Sequence, residues 1–122
     1  MVKHIPFQGG ERPFSTAVQA GNTLYVSGQV GIDRAAGAYP EGIEAQTRVA
    51  ISNLSGALEQ AGYHLTDVVK MTVLLTDVKD IPTFNLVYKE AFSADPPART
   101  LSVVKALAGE AIVELDVVAY RE

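Results

Sequence analysis

The chain has 122 residues, 48% of them hydrophobic and 20% charged, with a formal net charge of −4. That size and balance describe a single globular domain over residues 1–122 with one core. They argue against nucleic acid as the primary ligand, since no lysine- or arginine-rich run occurs, and against a membrane span, since no apolar run approaches ~20 residues.

Short β-favouring runs at Ala17 to Ala20 and Thr23 to Ser27 flank Gly21-Asn22, a dipeptide suited to a turn, and predict an opening hairpin. Asp33 to Gly42 is rich in glycine and alanine with one proline and reads as a loop. Ala50, Leu54, Ala57, Leu58 and Ala61 then recur at helical spacing, predicting an amphipathic helix over 43–61 with Gly62 just past its end. From Val69 to Leu75 the odd positions Val69, Met71, Val73 and Leu75 alternate against Lys70, Thr72 and Leu74, the period of a strand. Asp80 is the expected cap of a second helix, with Pro82 in its first turn and an apolar stripe of Phe84, Val87, Tyr88 and Ala91. Thr100 to Leu107 and Ala111 to Arg121 read as two closing strands joined by a turn at Ala108-Gly109-Glu110.

The order β-β-α-β-α-β-β predicts an α+β fold, one sheet with two helices on one face. In the last strand Ala111, Val113, Leu115, Val117 and Ala119 line one side. Ile112, Glu114, Asp116, Val118 and Tyr120 line the other, and its apolar members have no helix left to cover them. Self-association through that uncovered face is therefore expected.

Several residues are placed to carry chemistry. Pro96-Pro97-Ala98-Arg99-Thr100 holds one arginine at a stiffened strand entrance, with Asp95 and Pro96 both expected to be extended. A guanidinium held there suits bidentate recognition of a carboxylate or phosphate; the plainer alternative is a weak surface ion pair. Glu114 and Asp116 share one strand face and could divide into acid and base, or form a solvated face or an interface ion pair. Ser27-Gly28-Gln29 ends a strand where backbone can approach a ligand, but Ser27 has no base partner or nucleophile elbow in the sequence. Asn85 and Tyr88 share a helix face. There is no cysteine, and His4 and His64 lack ligand spacing, so neither a metal nor a nucleotide cofactor is expected. The N-terminus lacks a signal-like apolar stretch, and a cytoplasmic location is expected.

Taken in order, Pro13-Phe14-Ser15, Gly21-Asn22-Thr23-Leu24-Tyr25-Val26-Ser27-Gly28-Gln29-Val30-Gly31, Glu44-Ala45-Gln46-Thr47-Arg48, Asn53-Leu54, Asp67-Val68-Val69-Lys70, Thr76-Asp77, Asn85-x-x-Tyr88, Pro97-Ala98-Arg99-Thr100 and Val113-Glu114-Leu115-Asp116 resemble the YjgF/YER057c/UK114 family, also called the RidA family of enamine/imine deaminases. The resemblance covers nearly the whole chain. It implies a chorismate-mutase-like α+β fold, a homotrimer with clefts between subunits, and cofactor-free hydrolysis of 2-aminoacrylate-like enamines or 2-imino acids to 2-keto acids and ammonia. Arg99 then corresponds to the clamp on the substrate carboxylate and Glu114 to the acid that positions or activates water. Ser27, Gly28 and Asn85 fall on cleft-lining positions, with Gly31 farther along the same loop, and backbone amides near Gly31 and Leu101 are expected to donate to the ligand. Two positions depart from the pattern: Phe14 stands where many members have tyrosine, and Leu101 where many have cysteine. Both make the pocket more apolar and favour imines with larger side chains. Two other readings stay open: a non-catalytic module that binds a keto acid or similar carboxylate, and a pathway-specific deaminase of the same superfamily.

Overall fold

Alternating side chains along the C-terminal segment divide inside from outside. Ala111, Val113, Leu115, Val117 and Ala119 are all 5% exposed or less, whereas the residues between them keep contact with solvent. The computed structural model describes residues 1–122. The chain runs through β1 (Val2–Ile5), β2 (Ala17–Ala20), β3 (Thr23–Val30), α1 (Ile43–Gln60), β4 (Val68–Leu75), α2 (Ile81–Ala91), β5 (Ala98–Val103) and β6 (Val113–Tyr120). The six strands form one mixed sheet in the order β1-β2-β3-β6-β4-β5. Every neighbouring pair is antiparallel except β4 with β5. Both helices pack on one face, so the expected α+β layering holds. No helix is long and apolar enough to cross a membrane.

In α1, Ala50, Leu54, Ala57 and Leu58 are buried as the periodicity requires, and Gly62 follows the helix with φ 80°. Two polar residues share the buried stripe, Gln46 and Thr47. The Gln46 amide justifies its burial through three bonds: Nε2 donates to the carbonyls of Pro40 (3.1 Å) and Glu110 (3.2 Å), and Oε1 accepts from the Ile112 amide (3.0 Å). It thereby ties the loop before α1 to the segment entering β6. Asn53 holds the end of β3 to the same helix, Nδ2 donating to the carbonyls of Val30 and Ile32 at 2.9 Å each.

Several local expectations are corrected. β1 was not foreseen, because three of its four residues are exposed and it carries no alternation. β3 continues past Ser27 through a bulge, its register to β6 shifting between Val26 and Gln29. A second irregularity between Val68 and Lys70 puts Val68, not Val69, in the core; Val69 is 49% exposed. β5 and β6 do not form a hairpin across Ala108-Gly109-Glu110: β5 stops at Val103, and β4 lies between the two strands. A single 3-10 turn (Val78–Asp80) precedes α2, and its cap is Asp77, which accepts from the Lys79 amide at 2.9 Å; the Asp80 side chain makes no cap bond. Asp95 is not extended but left-handed, φ 49°, a conformation that the short polar side chain of aspartate tolerates better than most.

Gly31 marks where β3 passes α1. A Cβ there would collide with the carbonyl oxygen of Gln46 and lie 2.8 Å from its Cα. Backbone meets backbone, and neither can give way without moving the helix. Gly31→Ala is expected to destabilise the fold by about 1–3 kcal/mol, read as a lower urea midpoint with an unchanged m-value.

Candidate active site

Arg99 enters β5 opposite Met71 of β4, and Met71 is fully buried, so both side chains emerge on the helix-covered face. β5 is the edge strand, and Arg99 reaches outward over α2. There its Nη1 donates to Oδ1 of Asn85 at 2.9 Å. Its guanidinium carbon sits 4.8 Å from the centre of the Tyr88 ring and 5.8 Å from that of Phe84. The ion pairs of the molecule involve Arg48 and Arg121, and no carboxylate meets Arg99 within the chain. That removes the plain ion-pair reading and leaves the fork's other donors without a hydrogen-bond partner in the chain. Leu101, two residues on along the same strand, shares this face and packs partly against the core.

Glu114 lies elsewhere. On β6 it pairs with Leu74 of β4 and Val30 of β3 and points to the face that no helix covers, as does Asp116. Its carboxylate occupies the space above Gly28 in the β3 bulge: a Cβ at that glycine would lie 2.6 Å from Glu114 Oε2. Gly28 is thus needed to let the carboxylate lie against the backbone. Partial burial raises the pKa of Glu114 above the ordinary carboxylate value, with the neighbouring Asp116 charge adding to it. Burial also raises Asp116, opposed by a hydrogen bond from Thr72 and by the Lys70 charge.

Ser27 belongs with Glu114. Its hydroxyl donates to the Ser15 carbonyl at 2.7 Å and its amide to the Thr16 carbonyl at 2.9 Å, so its proton is already committed to the backbone. Phe14, the residue before Ser15, is 52% exposed and meets Phe7 edge to face at 6.5 Å.

The residues singled out in the sequence therefore form two groups. Asn85, Arg99 and Leu101 lie on the helix face at the β5 edge; Ser27, Gly28 and Glu114 gather on the open side of the sheet, with Phe14 on the adjoining loop. Gly31 follows Val30, the β3 partner of Glu114, at the close approach of the chain to α1, where a side chain has no room. β4 separates β5 from β6, so one chain does not bring Arg99 and Glu114 together. The aromatic support under Arg99 was visible in the sequence only as an apolar stripe. No group of three or more His, Cys, Asp or Glu side chains is placed to hold a metal ion.

The family model described as Endoribonuclease L-PSP matches residues 9–121. A RutC family protein of Pyrococcus horikoshii is 41% identical over 111 residues, covering 90% of this chain and 88% of the relative. A 2-iminobutanoate/2-iminopropanoate deaminase of Bos taurus is 42% identical over 108 residues, covering 88% and 79%. The crystal structure of E. coli TdcF with bound serine superposes with a TM-score of 0.88 at 30% identity, covering 98% of this chain and 94% of that one. The chain belongs to this family, the YjgF/RidA family.

A raised carboxyl pKa has a stability consequence. Folded Glu114 binds its proton more tightly than unfolded Glu114, so its burial is harmless below the unfolded value of 4.5 and increasingly unfavourable as pH rises above it. Glu114→Gln is expected to raise the melting temperature near neutral pH, with the gain shrinking to nothing as pH falls below about 4.5. A pH-independent difference in paired melting curves would contradict this.

Proposed function

We propose that the chain is a cofactor-free deaminase that hydrolyses 2-imino acids, and the enamines that tautomerise to them, to 2-keto acids and ammonia. The observation that carries the reading is the Arg99 fork, presented at a sheet edge with no carboxylate of its own. A planar guanidinium so held can take a substrate carboxylate bidentately and hold the adjacent C=N in one orientation. The bovine relative named 2-iminobutanoate/2-iminopropanoate deaminase supports that substrate class. The serine in TdcF, an amino acid with a carboxylate of its own, supports a small carboxylate-bearing ligand.

Water adds to the electrophilic imine carbon while a carboxylate takes its proton. The resulting carbinolamine collapses as its nitrogen gains a proton and leaves as ammonia. Glu114 suits the proton transfers, because burial moves its pKa towards the range in which a carboxyl both accepts and returns a proton near neutrality. An enamine first takes a proton at carbon to become the imine. The balance is imino acid plus water to keto acid plus ammonia, with no redox partner.

Arg99 and Glu114 meet only if a second copy supplies one of them. We assign the active cleft to the junction between copies, one contributing Arg99, Asn85 and Leu101, the next Phe14, Ser27, Gly28 and Glu114. The open face supports such an assembly, since Tyr25 and Tyr120 are 52% and 46% exposed on it. The family resemblance supports a trimer. The nuclease named in the family description has no basic track here to hold a phosphate backbone, in a chain of net charge −4. One alternative keeps an observation in its favour: because Arg99 stands apart from Glu114 in the chain, it could bind a keto acid without turning anything over.

The test couples an amino-acid oxidase to semicarbazide, which traps imine that escapes hydrolysis. Wild type should lower the semicarbazone yield, and Arg99→Ala should lose about 10²-fold or more in kcat/KM. Failure of wild type to lower it, together with thermal stabilisation by keto acids, would establish the binding module instead. With Phe14 and Leu101 as apolar walls, the leucine-derived imine should be turned over with higher kcat/KM than 2-aminoacrylate. The reverse order would remove that specificity.

A further inference from the structure

The support beneath Arg99 is more elaborate than anion binding requires. Phe84, Tyr88 and Phe92 recur every four residues along α2 and its C-terminal cap and are 0%, 6% and 7% exposed. Their rings form a ladder: Phe84 to Tyr88 has centroids 5.6 Å apart, and Tyr88 to Phe92 is stacked at 4.8 Å. Tyr88 therefore cannot swing aside, and its face lies 4.8 Å from the Arg99 guanidinium carbon. Such a ring attracts the cation through its quadrupole and fixes the plane of the fork. Asn85 Oδ1, at 2.9 Å from Nη1, then fixes rotation within that plane. Since a guanidinium only donates, the Asn85 oxygen must face it, which turns the amide nitrogen away from Arg99. The phenolic hydroxyl of Tyr88 is buried with no hydrogen-bond partner in the chain, so no hydrogen bond of its own explains a tyrosine there. What Tyr88 supplies is its ring.

We infer that Tyr88 and Asn85 are positioning residues: they pre-set the plane and rotation of Arg99 so that its free donors already match a carboxylate before one arrives. The inference rests on the carboxylate-clamp reading above and deepens it. A pre-aligned fork spares the ligand the cost of ordering a long, flexible side chain, so its loss weakens binding of substrate and product alike. The step affected is binding, not bond making.

The test compares wild type with Tyr88→Phe, Tyr88→Leu and Asn85→Ala, using 2-oxobutanoate titrated calorimetrically and the oxidase-coupled assay on its imine. Tyr88→Phe keeps the ring and should bind and turn over as wild type does. Tyr88→Leu keeps apolar bulk without the quadrupole and should raise both Kd and KM by about 2- to 30-fold with kcat unchanged. Asn85→Ala, which leaves the core intact, should raise them in the same way and serves if the leucine variant does not fold. A third readout is independent of function: the Arg99 side-chain protons should show an upfield ring-current shift in wild type and Tyr88→Phe, reduced in Tyr88→Leu to what the more distant Phe84 ring supplies. The inference fails if that shift is absent in wild type. It also fails if Tyr88→Phe weakens binding as much as Tyr88→Leu, or if neither Tyr88→Leu nor Asn85→Ala weakens it. Absence of imine turnover in wild type, with the shift present and 2-oxobutanoate binding changed as described, would remove the deaminase reading and leave the positioning role standing.

Discussion

The parallel pairing of β4 with β5 is the constraint on which the rest depends. Parallel neighbours cannot be joined by a tight turn, so the chain must leave the sheet, cross one face and return, and α2 is that crossing. Once α2 lies beside α1, Phe84, Val87 and Tyr88 close the core over one face of the sheet. The returning strand becomes the edge, and its first residues emerge directly over the helix just left behind. Arg99 meets Tyr88 and Asn85 for that reason, although 10 and 13 intervening positions separate them in sequence. The two prolines and the left-handed Asp95 before β5 set the angle of return.

The same topology keeps the two halves of the candidate site apart. β6 inserts between β3 and β4, so Glu114, which alternation turns to the open face, is seated over the Gly28 bulge of β3 with β4 between it and Arg99. A sheet with helices on only one side has a second face to bury, and here that face carries Tyr25, Val118 and Tyr120 around a pair of carboxyls of raised pKa. On the proposed reading assembly and catalysis become one requirement: a contact that buries the tyrosines would also bring a foreign Arg99 to Glu114. A binding module would need only the arginine half, whereas hydrolysis needs both.

Much of the fold was legible in the sequence because its core elements obey simple periods. The β6 alternation sorts inside from outside residue by residue, and the α1 stripe is buried as read. What escaped was whatever tertiary order decides. β1 lies exposed on an edge and has no pattern to betray it; the irregularity at Val69 exchanges faces without altering composition; and the turn signal at Gly109 says nothing about which strand lies next to which. The site shows the same division. Arg99 and Glu114 stand out individually, through the proline-stiffened approach and the strand alternation, but Arg99's face is set by its register against Met71 and its distance from Glu114 by strand order, neither of which the sequence displays. Gly31, read as a cleft position, also marks a close approach of backbone to backbone that no sequence pattern announces. Tyr88 was read as core, which it is, while its service to Arg99 depends on a strand that arrives later in the chain.

Mixing two inactive variants tests the central claim most directly. Arg99→Ala and Glu114→Gln are each purified, confirmed to lack imine hydrolysis, dissociated, and reassembled together. If the cleft takes Arg99 from one copy and Glu114 from the next, hybrid oligomers contain some clefts with both residues intact, and a fraction of wild-type activity returns on mixing. If the two residues act within one chain, no hybrid cleft is whole. Activity then stays at the level of the separate variants, and the account of a site completed between copies is wrong.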